Sequence, residues 1–438
     1  MLRELRLAFE GSYVWLSQNA SGKFSVVSCQ TSLGDKVDSE VVKLVAVANG
    51  HRDAFAEINR LLLRAKNFAE SQAGSPVYIE MKFDEASWWR ARVLDGRCTY
   101  TGSDMVHSWR SSTPAVSLSI ERTPWEGPET ELPLTNNSGS GTGGRAVGNE
   151  TSGATENWVT VAGANVSGDL PALTRLELTH TYATNPFIKE IWLHHKVDSP
   201  TSFAHFIQGE SASGGSNTAD ATASGGSKKS LSWSGTAKTK LLEWTLPAAS
   251  LNAMAGGYAH LLMRHDGAAY GDLYFQFQLR NPTGYTLIHD GSLTPFPNGN
   301  EMEILDNFRL PPGGLVSGSS NLILELYAQR LTSATHSLAI DFVQLSAIGP
   351  GNSWHKLVAI GTGLRVNEVL TVDNINQRIY RVVSGSNIAD WSAEGGGIQL
   401  QPGRDQRIYV LAAEVGNNYR RLQTFNMRLY YRPRRRSL

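Results

Sequence analysis

Residues 361–383, 395–411 and 426–436 read GTGLRVNEVLTVDNINQRIYRVV, GGGIQLQPGRDQRIYVL and NMRLYYRPRRR, and they decide how the fold is interpreted. Three short runs rich in β-branched residues lie in the first two stretches: Glu368 to Val372, Arg378 to Val383, and Arg407 to Leu411. The turn-forming stretches Asp373-Asn374 and Gln401-Pro402-Gly403 separate these runs, which is typical of strands linked by hairpins. Strands of this kind need a second layer that covers their apolar face.

The N-terminal part of the chain is the best candidate for that layer, because no comparable amphipathic layer lies just upstream. Its residues 54–70 repeat apolar side chains every three or four positions and predict one helix. Asp53 is its expected N-cap, and Gly74 and Pro76 are expected to stop it. Alternating runs predict strands beside the helix: Leu5 to Ala8, Tyr13 to Leu16, Val41 to Val47, Val77 to Phe83, Trp89 to Asp95 and Ala115 to Arg122. We therefore predict a split α+β domain formed by residues 1–135 and 352–438.

The middle of the chain, residues 136–351, predicts a second domain inserted into the first. Residues 136–154 are rich in Gly, Ser and Asn and have the composition of a flexible linker. A series of short strands with no convincing helix then favours a jelly-roll β-sandwich: Trp158 to Val161, Thr174 to His180, Glu190 to His194, Phe203 to Gln208, Leu242 to Leu246, Ala259 to Arg264, Leu273 to Leu279, Asn321 to Ala328 and Ser337 to Leu345. Residues 209–230 have almost no apolar content and predict a mobile, exposed loop. The whole chain is predicted to be mainly β.

Composition narrows the class of protein further. The chain has 438 residues, 40 basic and 40 acidic, so it carries no net charge that would steer it to nucleic acid or to an anionic membrane. The N-terminus lacks the pattern of a signal peptide, and no uncharged apolar run is long enough to cross a bilayer. Synthesis in the cytoplasm is therefore expected. Cys29 and Cys98 are the cysteines of the chain, and two buried free thiols are favoured over a disulfide.

No motif in the sequence supports catalysis, so the prediction is that the protein is not an enzyme and binds no cofactor. Neither GxxxxGK[ST] nor GxGxxG occurs after a predicted strand and before a predicted helix, and no GxSxG nucleophile turn is seen. The pairs His194-His195 and His260 with His265 lack zinc-site spacing and are read as core or surface histidines. Four arginines near the C-terminus favour a solvated chain end over a site for nucleic acid or an acidic partner: Arg432, Arg434, Arg435 and Arg436.

The run LAIDFVQL, residues 338–345, resembles the closing strand of jelly-roll carbohydrate-binding modules. That resemblance makes Asp341 a candidate ligand of a structural calcium ion, although a plain sandwich carboxylate is the favoured interpretation because calcium needs six or more oxygens. Several aromatic residues of the middle domain are candidates for stacking on sugars, with a core position as the favoured alternative: Trp158, Tyr182, Trp192, Tyr258, Tyr270 and Tyr274.

The split domain resembles the N-terminal belt domain of bacteriophage distal tail proteins. The matching features are an early strand pair, the helix ending LLLRAKNFAESQ, the run WWRARVLDG, and the closing pair LTVDNINQRIYRV and GIQLQPGRDQRIYVL. The middle sandwich resembles the galectin-like or carbohydrate-binding-like domains that decorate such proteins. The resemblance implies a structural virion protein, in which copies, six in the family, form a ring at the distal end of the tail tube. The tube and the tail-tip or fibre proteins would be its partners, and the sandwich would project outward.

An alternative from another class stays open. The chain would then be a glycan-binding protein that recognises cell-surface polysaccharide through the aromatics of residues 150 to 345. Size separates the two interpretations, since a ring has several times the monomer mass of 47.8 kDa.

Overall fold

A computed structural model describes residues 4–17, 22–34, 37–47, 50–82, 87–100, 115–149, 156–182, 187–198, 206–221, 223–247, 258–266, 273–282, 284–295, 302–309, 321–348, 353–414 and 424–437. The fold is mainly β with antiparallel sheets, which confirms the predicted fold class. No helix among these residues is long and apolar enough to cross a membrane. The chain divides into two compact units, the first formed by Met1–Thr130, Ser167–Ala172 and Arg432–Leu438, and the second by Glu131–Val166 and Leu173–Tyr431.

The first unit is a twisted antiparallel sheet with a helix packed on it. Its strands up to the second unit are β1 (Glu4–Phe9), β2 (Ser12–Trp15), β3 (Phe24–Ser32), β4 (Asp38–Ala46), β5 (Tyr78–Lys82), β6 (Trp89–Tyr100), β7 (Ala115–Arg122) and β8 (Trp125–Glu126). The main path of the sheet runs β2-β1-β5-β6-β7-β4-β3. Strands β2 and β3 therefore form its two ends.

Helix α1 (His51–Ser71) buries the stripe of Ile58, Leu61, Leu62 and Ala65 that the sequence pattern predicts. It begins after Gly50, whose left-handed backbone forms the N-cap, so the prediction of Asp53 as cap is wrong and Asp53 lies in the first turn. It ends at Gln72, whose N–H donates to the Phe68 carbonyl, before Gly74 is reached.

Gly96 on β6 is the position that lets the helix approach. A Cβ there would lie 3.0 Å from Leu62 Cδ2 and 2.7 Å from the Ser119 carbonyl oxygen, so a larger residue would push the helix away.

The second unit begins with strands that pair with the last part of the chain. They are β9 (Thr130–Glu131), β10 (Leu134–Asn136), β11 (Gly139–Gly141), β12 (Arg145–Gly148), β13 (Trp158–Val161), β14 (Ala172–His180) and β15 (Ile188–Val197). The prediction of a flexible linker at 136–154 is therefore wrong, because the described residues of this segment form the hairpin β10–β11 and strand β12. Asn136 stabilises the turn, since its Oδ1 accepts from the Ser138 N–H at 2.9 Å and its Nδ2 donates to the Ala146 carbonyl at 2.7 Å.

Between β15 and the next strand of the same sheet lies an inserted sandwich. Its strands are β16 (Phe206–Gln208), β17 (Ser216–Ala219), β18 (Ser227–Ser234), β19 (Thr239–Leu246), β20 (Tyr258–Asp266), β21 (Leu273–Asn281), β22 (Thr286–Asp290), β23 (Thr294–Pro295), β24 (Met302–Arg309), β25 (Leu322–Arg330) and β26 (Thr335–Ile348). One sheet has the order β18-β26-β20-β24 and the other β19-β25-β21-β22. That is the strand order of a jelly roll, as predicted. Side chains from both sheets form one apolar core that includes Trp244, Phe275 and Leu338.

The prediction of a mobile, exposed loop at 209–230 is also wrong, because most of this segment belongs to an ordered hairpin. Strand β17 pairs with β18 as an edge hairpin. A short 3-10 turn at Gly209–Ser211 precedes this hairpin, and another at Ser224–Gly226 lies in the connection between its strands. Polar side chains connect its strands: Thr218 Oγ1 lies 2.8 Å from Ser230 Oγ, and Lys229 Nζ donates to Asn217 Oδ1 at 2.9 Å. A segment without apolar residues is therefore ordered by a ladder of polar pairs.

The chain then returns to the strands that precede the insertion. They are β27 (Ser353–Ala359), β28 (Val369–Asp373), β29 (Arg378–Val383), β30 (Ser386–Ile388), β31 (Trp391–Gly395), β32 (Gln399–Leu400), β33 (Gln406–Glu414), β34 (Thr424–Tyr431) and β35 (Arg434–Arg435). One sheet runs β11-β10-β13-β33-β15-β27-β31 and another β12-β34-β14-β28-β29-β30. We call these two sheets the outer sandwich.

This pairing corrects the predicted domain boundaries. Strands of residues 353–431 pair with those of residues 134–197, because β33 lies between β13 and β15 while β28 and β34 flank β14. The described insertion is 206–348, shorter than the predicted 136–351. Of the predicted C-terminal half, residues 432–438 belong to the first unit, where β35 pairs with β8.

The sequence predicts that the basic C-terminal tail is a solvated chain end, and this prediction is wrong. The tail is docked within the first unit. Arg122, fully buried, donates to Asp38 and Glu40 and also to the Arg436 carbonyl at 2.9 Å. The guanidinium of Arg435 lies 4.8 Å from the Trp89 ring centroid, and Arg434 Nη1 donates to the Pro171 carbonyl at 3.1 Å. The tail is thus held by the backbone carbonyl of Arg436, by the stacking of Arg435 on Trp89 and by the hydrogen bond from Arg434.

Cys29 and Cys98 do not form a disulfide bond, as predicted. Cys98 is buried, and burial raises the pKa of its thiol to about 12, which makes it unreactive at neutral pH. Cys29 is half-buried, and its Sγ lies 3.4 Å from Glu40 Oε2.

Candidate functional site

An arginine surrounded by aromatic rings lies on β1 of the first unit, on the side of the sheet away from the core. The Arg6 guanidinium is 3.7 Å from the Tyr13 ring centroid, 4.0 Å from that of Trp88 and 5.2 Å from that of Trp15. Glu80 accepts from Arg6 Nε at 2.6 Å. Strand register explains the group, since Arg6 is opposite Trp15 on β2 and opposite Glu80 on β5. We call these five residues the aromatic–arginine face.

The face remains partly open. Tyr13 is 47% exposed and the side chains of Trp15 and Trp88 are half-buried, so rings with substantial apolar area face outward. Tyr, Trp and Arg are the residues enriched at the energetic centres of protein interfaces. The sequence partly indicates this face, because Tyr13 and Trp15 alternate with Val14 and Leu16. Alternation alone does not show whether the two aromatic or the two aliphatic side chains point to the core.

A second group joins the two sandwiches of the second unit. Trp192, Leu262, Phe342 and Leu411 form an apolar cluster with Trp354 packed against it. Around it lie polar side chains: Gln344 Nε2 is 3.2 Å from His194 Nδ1, and the His260 ring meets the Trp354 ring edge-on at 5.2 Å. We call this group the joint, formed by Trp192, His194, His260, Leu262, Phe342, Gln344, Trp354 and Leu411.

The histidines of the joint are held neutral. Burial lowers the pKa of His194 to about 3, with the nearby His260 as a further cause, and burial lowers that of His260 to about 4. Among the described residues, His194 Nε2 and His260 Nδ1 have no hydrogen-bond partner. A proton on either ring would place a charge in an almost dry interface. The interpretation of these residues as core histidines agrees with this burial.

A third group covers the outer face of the jelly-roll sheet β19-β25-β21-β22. We call it the polar face, formed by Lys240, Glu243, Gln276, Gln278, Arg280, Tyr285, Asp290, Glu325 and Tyr327. Glu325, fully buried, accepts from Lys240 Nζ at 3.1 Å, Arg280 Nε at 2.6 Å and Tyr327 Oη at 3.0 Å, and from Tyr285 Oη. These groups alternate along the strands with core residues such as Phe277 and Leu326.

The polar face is a charged network at neutral pH. Burial alone would raise the pKa of Glu325, but the hydrogen bonds from Tyr285, Arg280 and Lys240 outweigh it and lower that pKa. The bonds from Lys240 to Tyr285 and Glu243 raise the pKa of the Lys240 ammonium in turn. Tyr285 is 43% exposed, with Arg280 5.0 Å from its ring centroid. Amides continue the network, since Gln276 and Gln278 both donate to Asp290 Oδ1, at 2.8 and 2.7 Å.

Asp341 lies on β26 and is nearly fully buried. Its carboxylate forms an ion pair with Arg264 and accepts from the Ser224 N–H at 2.8 Å. Burial raises its pKa to about 6 despite the guanidinium. Among the residues that the structure describes, no three His, Cys, Asp or Glu side chains are placed to hold a metal ion. Calcium binding by Asp341 stays a prediction that nothing here tests.

The predicted stacking residues do not come together in one described site. Trp192 is 2% exposed, and Trp354 and Lys356 cover its ring, with Trp354 stacked at 5.9 Å, so it is not an open platform. Trp158 is half-buried under Arg407, whose guanidinium lies 4.0 Å from the ring, and Tyr182 is half-buried. Tyr270 and the side chain of Tyr258 lie outside the described residues. The exposed tyrosine of the polar face, Tyr285, was not among the predicted residues.

No model of a known protein family matches the chain. No curated protein matches it either. Among solved structures, the SPP1 Dit protein, described as a paradigm of the hub adsorption apparatus in phages that infect Gram-positive hosts, aligns over 98% of both chains with 10% identity and a TM-score of 0.31. The infectious bursal disease virus Gt strain aligns over 99% of this chain and 77% of its own, with 10% identity and a TM-score of 0.21. Its VP2 subviral particle aligns over 71% and 81%, with 9% identity and a TM-score of 0.20. Likenesses at these scores do not establish a function.

Proposed function

We propose that the protein is a structural, non-enzymatic component of a phage tail, located in the virion. In this proposal its first unit forms a homo-oligomeric ring, a hexamer, at the distal end of the tail tube, connecting the tube to tip or fibre proteins. The inserted sandwich projects outward. Three of the patterns that resemble belt domains lie in the first unit and suggest this role: the early strand pair, the helix and the WWRARVLDG run. The closing pair of patterns lies in the outer sandwich of the second unit.

The observation that carries the proposal is the aromatic–arginine face. Arg6 is fixed in place by its ion pair with Glu80 and by the surrounding rings, so the face loses little side-chain entropy when a partner binds. Tyr13, Trp15 and Trp88 offer broad apolar area with few rotatable bonds. A surface of this composition is suited to burial against another protein subunit.

The ends of the same sheet offer further contact area. Among the described strands, β2 and β3 each have one neighbour, which leaves backbone groups at both sheet edges. Val27, at the bulge of β3, is 63% exposed. Open edges with exposed apolar side chains favour pairing with another chain. Two different edges on one unit allow a head-to-tail contact, which closes into a ring when the rotation is suitable.

Light scattering coupled to size-exclusion chromatography tests the proposal. The ring predicts a mass several times 47.8 kDa. The double variant Tyr13→Ala/Trp15→Ala is expected to shift this mass to that of the monomer, because it removes rings that the partner would cover. Tyr285→Ala, an exposed tyrosine of the second unit, is the matched control and should leave the mass unchanged. A wild-type monomer at all concentrations tested would contradict the proposal.

A second candidate function, glycan binding by the inserted sandwich, is favoured by the polar face. Planar amides, a guanidinium, a carboxylate and the exposed ring of Tyr285 are the groups that recognise sugar hydroxyls and sugar faces. A glycan array probed with the full chain and with Tyr285→Ala tests it. Binding that Tyr285→Ala abolishes supports this function, and an array without signal removes it.

A further inference from the structure

A cleft of about 300 Å³ opens at one end of the outer sandwich, where its two sheets part. One wall comes from β27 and the glycines at and after the end of β31, and the other from the turn between β28 and β29. Polar side chains dominate the lining: His355, Asp373, Asn374, Gln377, Arg378 and Gln399. The polar face and the joint use none of these residues.

His355 is the unusual member of this lining. It is 5% exposed, and its Nδ1 has no hydrogen-bond partner among the described residues. Burial lowers its pKa, so the ring is neutral at physiological pH and offers one donor and one acceptor. A buried polar atom without a partner lowers the stability of the fold, and a ligand or an ordered water that bonds to it would recover that loss.

The opposite wall is held in a fixed shape. Asp373 accepts from the Asn376 N–H at 3.0 Å and from Asn376 Nδ2 at 2.7 Å, which orients its carboxylate. Asn374 Nδ2 donates to Thr174 Oγ1 at 3.3 Å. Gly397 leaves room between the walls, because a Cβ there would lie 2.3 Å from Asn374 Oδ1. The cleft therefore exists without requiring a ligand to form it.

The donor and acceptor groups indicate the class of ligand. The Asp373 carboxylate and the Arg378 guanidinium balance each other, which disfavours a phosphate or another multiply charged anion. The amides of Asn374, Gln377 and Gln399 and the neutral imidazole each both donate and accept. Hydroxyl groups do the same. We propose that this cleft binds a single neutral sugar residue, free or at the end of a glycan.

This inference is independent of ring formation and of the glycan function assigned to the polar face. The full-length protein is titrated with D-glucose, D-galactose, N-acetyl-D-glucosamine and L-rhamnose, each alone, in saturation-transfer NMR. At least one sugar is expected to bind. The double variant Arg378→Ala/Gln399→Ala is expected to weaken that binding by about tenfold or more, since it removes two hydrogen-bonding groups at the rim. Both side chains are exposed, so the fold should persist, which thermal unfolding checks.

Two controls separate the sites. Tyr285→Ala is expected to leave the affinity unchanged, because Tyr285 belongs to the polar face. In protein labelled with ¹⁵N-histidine, the sugar is expected to shift the resonance that His355→Gln removes. The proposal is overturned if none of the four sugars transfers saturation, if the rim variant binds like the wild type, or if Tyr285→Ala alone abolishes binding.

Discussion

The joint and the polar face both contain buried polar side chains on antiparallel sheets of the second unit, but the two regions differ in the charge of those side chains. In the joint, a second sandwich covers the sheet, and its histidines are neutral with unpaired nitrogens. On the polar face, charges are kept, because each meets a counter-charge around Glu325. The buried histidines of the joint, which have no cationic or anionic partner there among the described residues, stay neutral, whereas the equally buried carboxylate of Glu325 keeps its charge because cations and tyrosines donate hydrogen bonds to it.

Among the single substitutions, the largest effect is expected at the centre of the joint. Phe342→Ala should lower the free energy of unfolding by about 3–5 kcal/mol, since it removes a fully buried ring and leaves a cavity. Chemical denaturation measures it. Phe342→Leu is the matched control and should cost clearly less, because most of the volume remains. An equal loss in both variants would show that the joint is not packed around this ring.

Acid should also weaken the joint, through both of its histidines together. The folded pKa values of His194 and His260, about 3 and about 4, lie below the ordinary 6.5, so the unfolded chain takes up protons that the folded chain rejects. The contribution of these two histidines to stability is then constant above pH 6.5 and falls between 6.5 and about 4, by at most about 1.4 kcal/mol per pH unit for each histidine.

Asp341 acts in the opposite direction, because its folded pKa is raised to about 6 from 3.8 and its protonation stabilises the fold as pH falls through that interval. The difference between the wild type and His194→Gln/His260→Gln isolates the histidines. Denaturation curves at several pH values measure it, and parallel pH profiles for the two proteins would contradict the assignment.

On the polar face, Glu325→Gln is expected to cost about 1–3 kcal/mol, because the buried carboxylate accepts hydrogen bonds from two cations and two tyrosines. Glu243→Gln is the control, with 28% of its side chain exposed, and should cost less than about 1 kcal/mol. Thermal unfolding of both variants checks the order. A larger loss for Glu243→Gln would contradict the central role of Glu325.

The smallest effect on stability is expected for Tyr285→Ala. Its ring is 43% exposed and its hydroxyl supplies one of the four hydrogen bonds that Glu325 accepts, so the change should cost about 0.5–1 kcal/mol, less than the loss of the carboxylate itself. Glycan binding by the polar face should nevertheless disappear, which an array measures. If Tyr285→Ala still bound the glycan, the polar face would not be the binding site.

Strand positions were largely predictable, because apolar alternation marks a half-buried strand wherever it occurs. Ala115 to Arg122 and Arg378 to Val383 match the structure at both ends. Partners were not predictable, since the pattern of β33 does not state whether β13 or β1 lies beside it. Strand β18 was missed because Leu231 and Trp233, its buried residues, are surrounded by serine and lysine.

The candidate sites were harder to predict than the strands. Trp192 and Tyr285 look alike in the sequence as aromatics on or beside strands, and their opposite exposure depends on which sheet face another sandwich covers. The docking of the C-terminal tail likewise depends on distant residues such as Arg122, which lies 314 positions before Arg436 in the chain. Contacts over such separations leave no local pattern.

The inserted sandwich leaves and re-enters the outer sandwich between two neighbouring strands, with His195 of β15 directly opposite Ser353 of β27. Recombination at this single place could therefore exchange one module for another without disturbing any strand pair. An incoming module would have to supply an apolar patch that packs against Trp192 and Trp354. Only modules with such a patch would fit at this place.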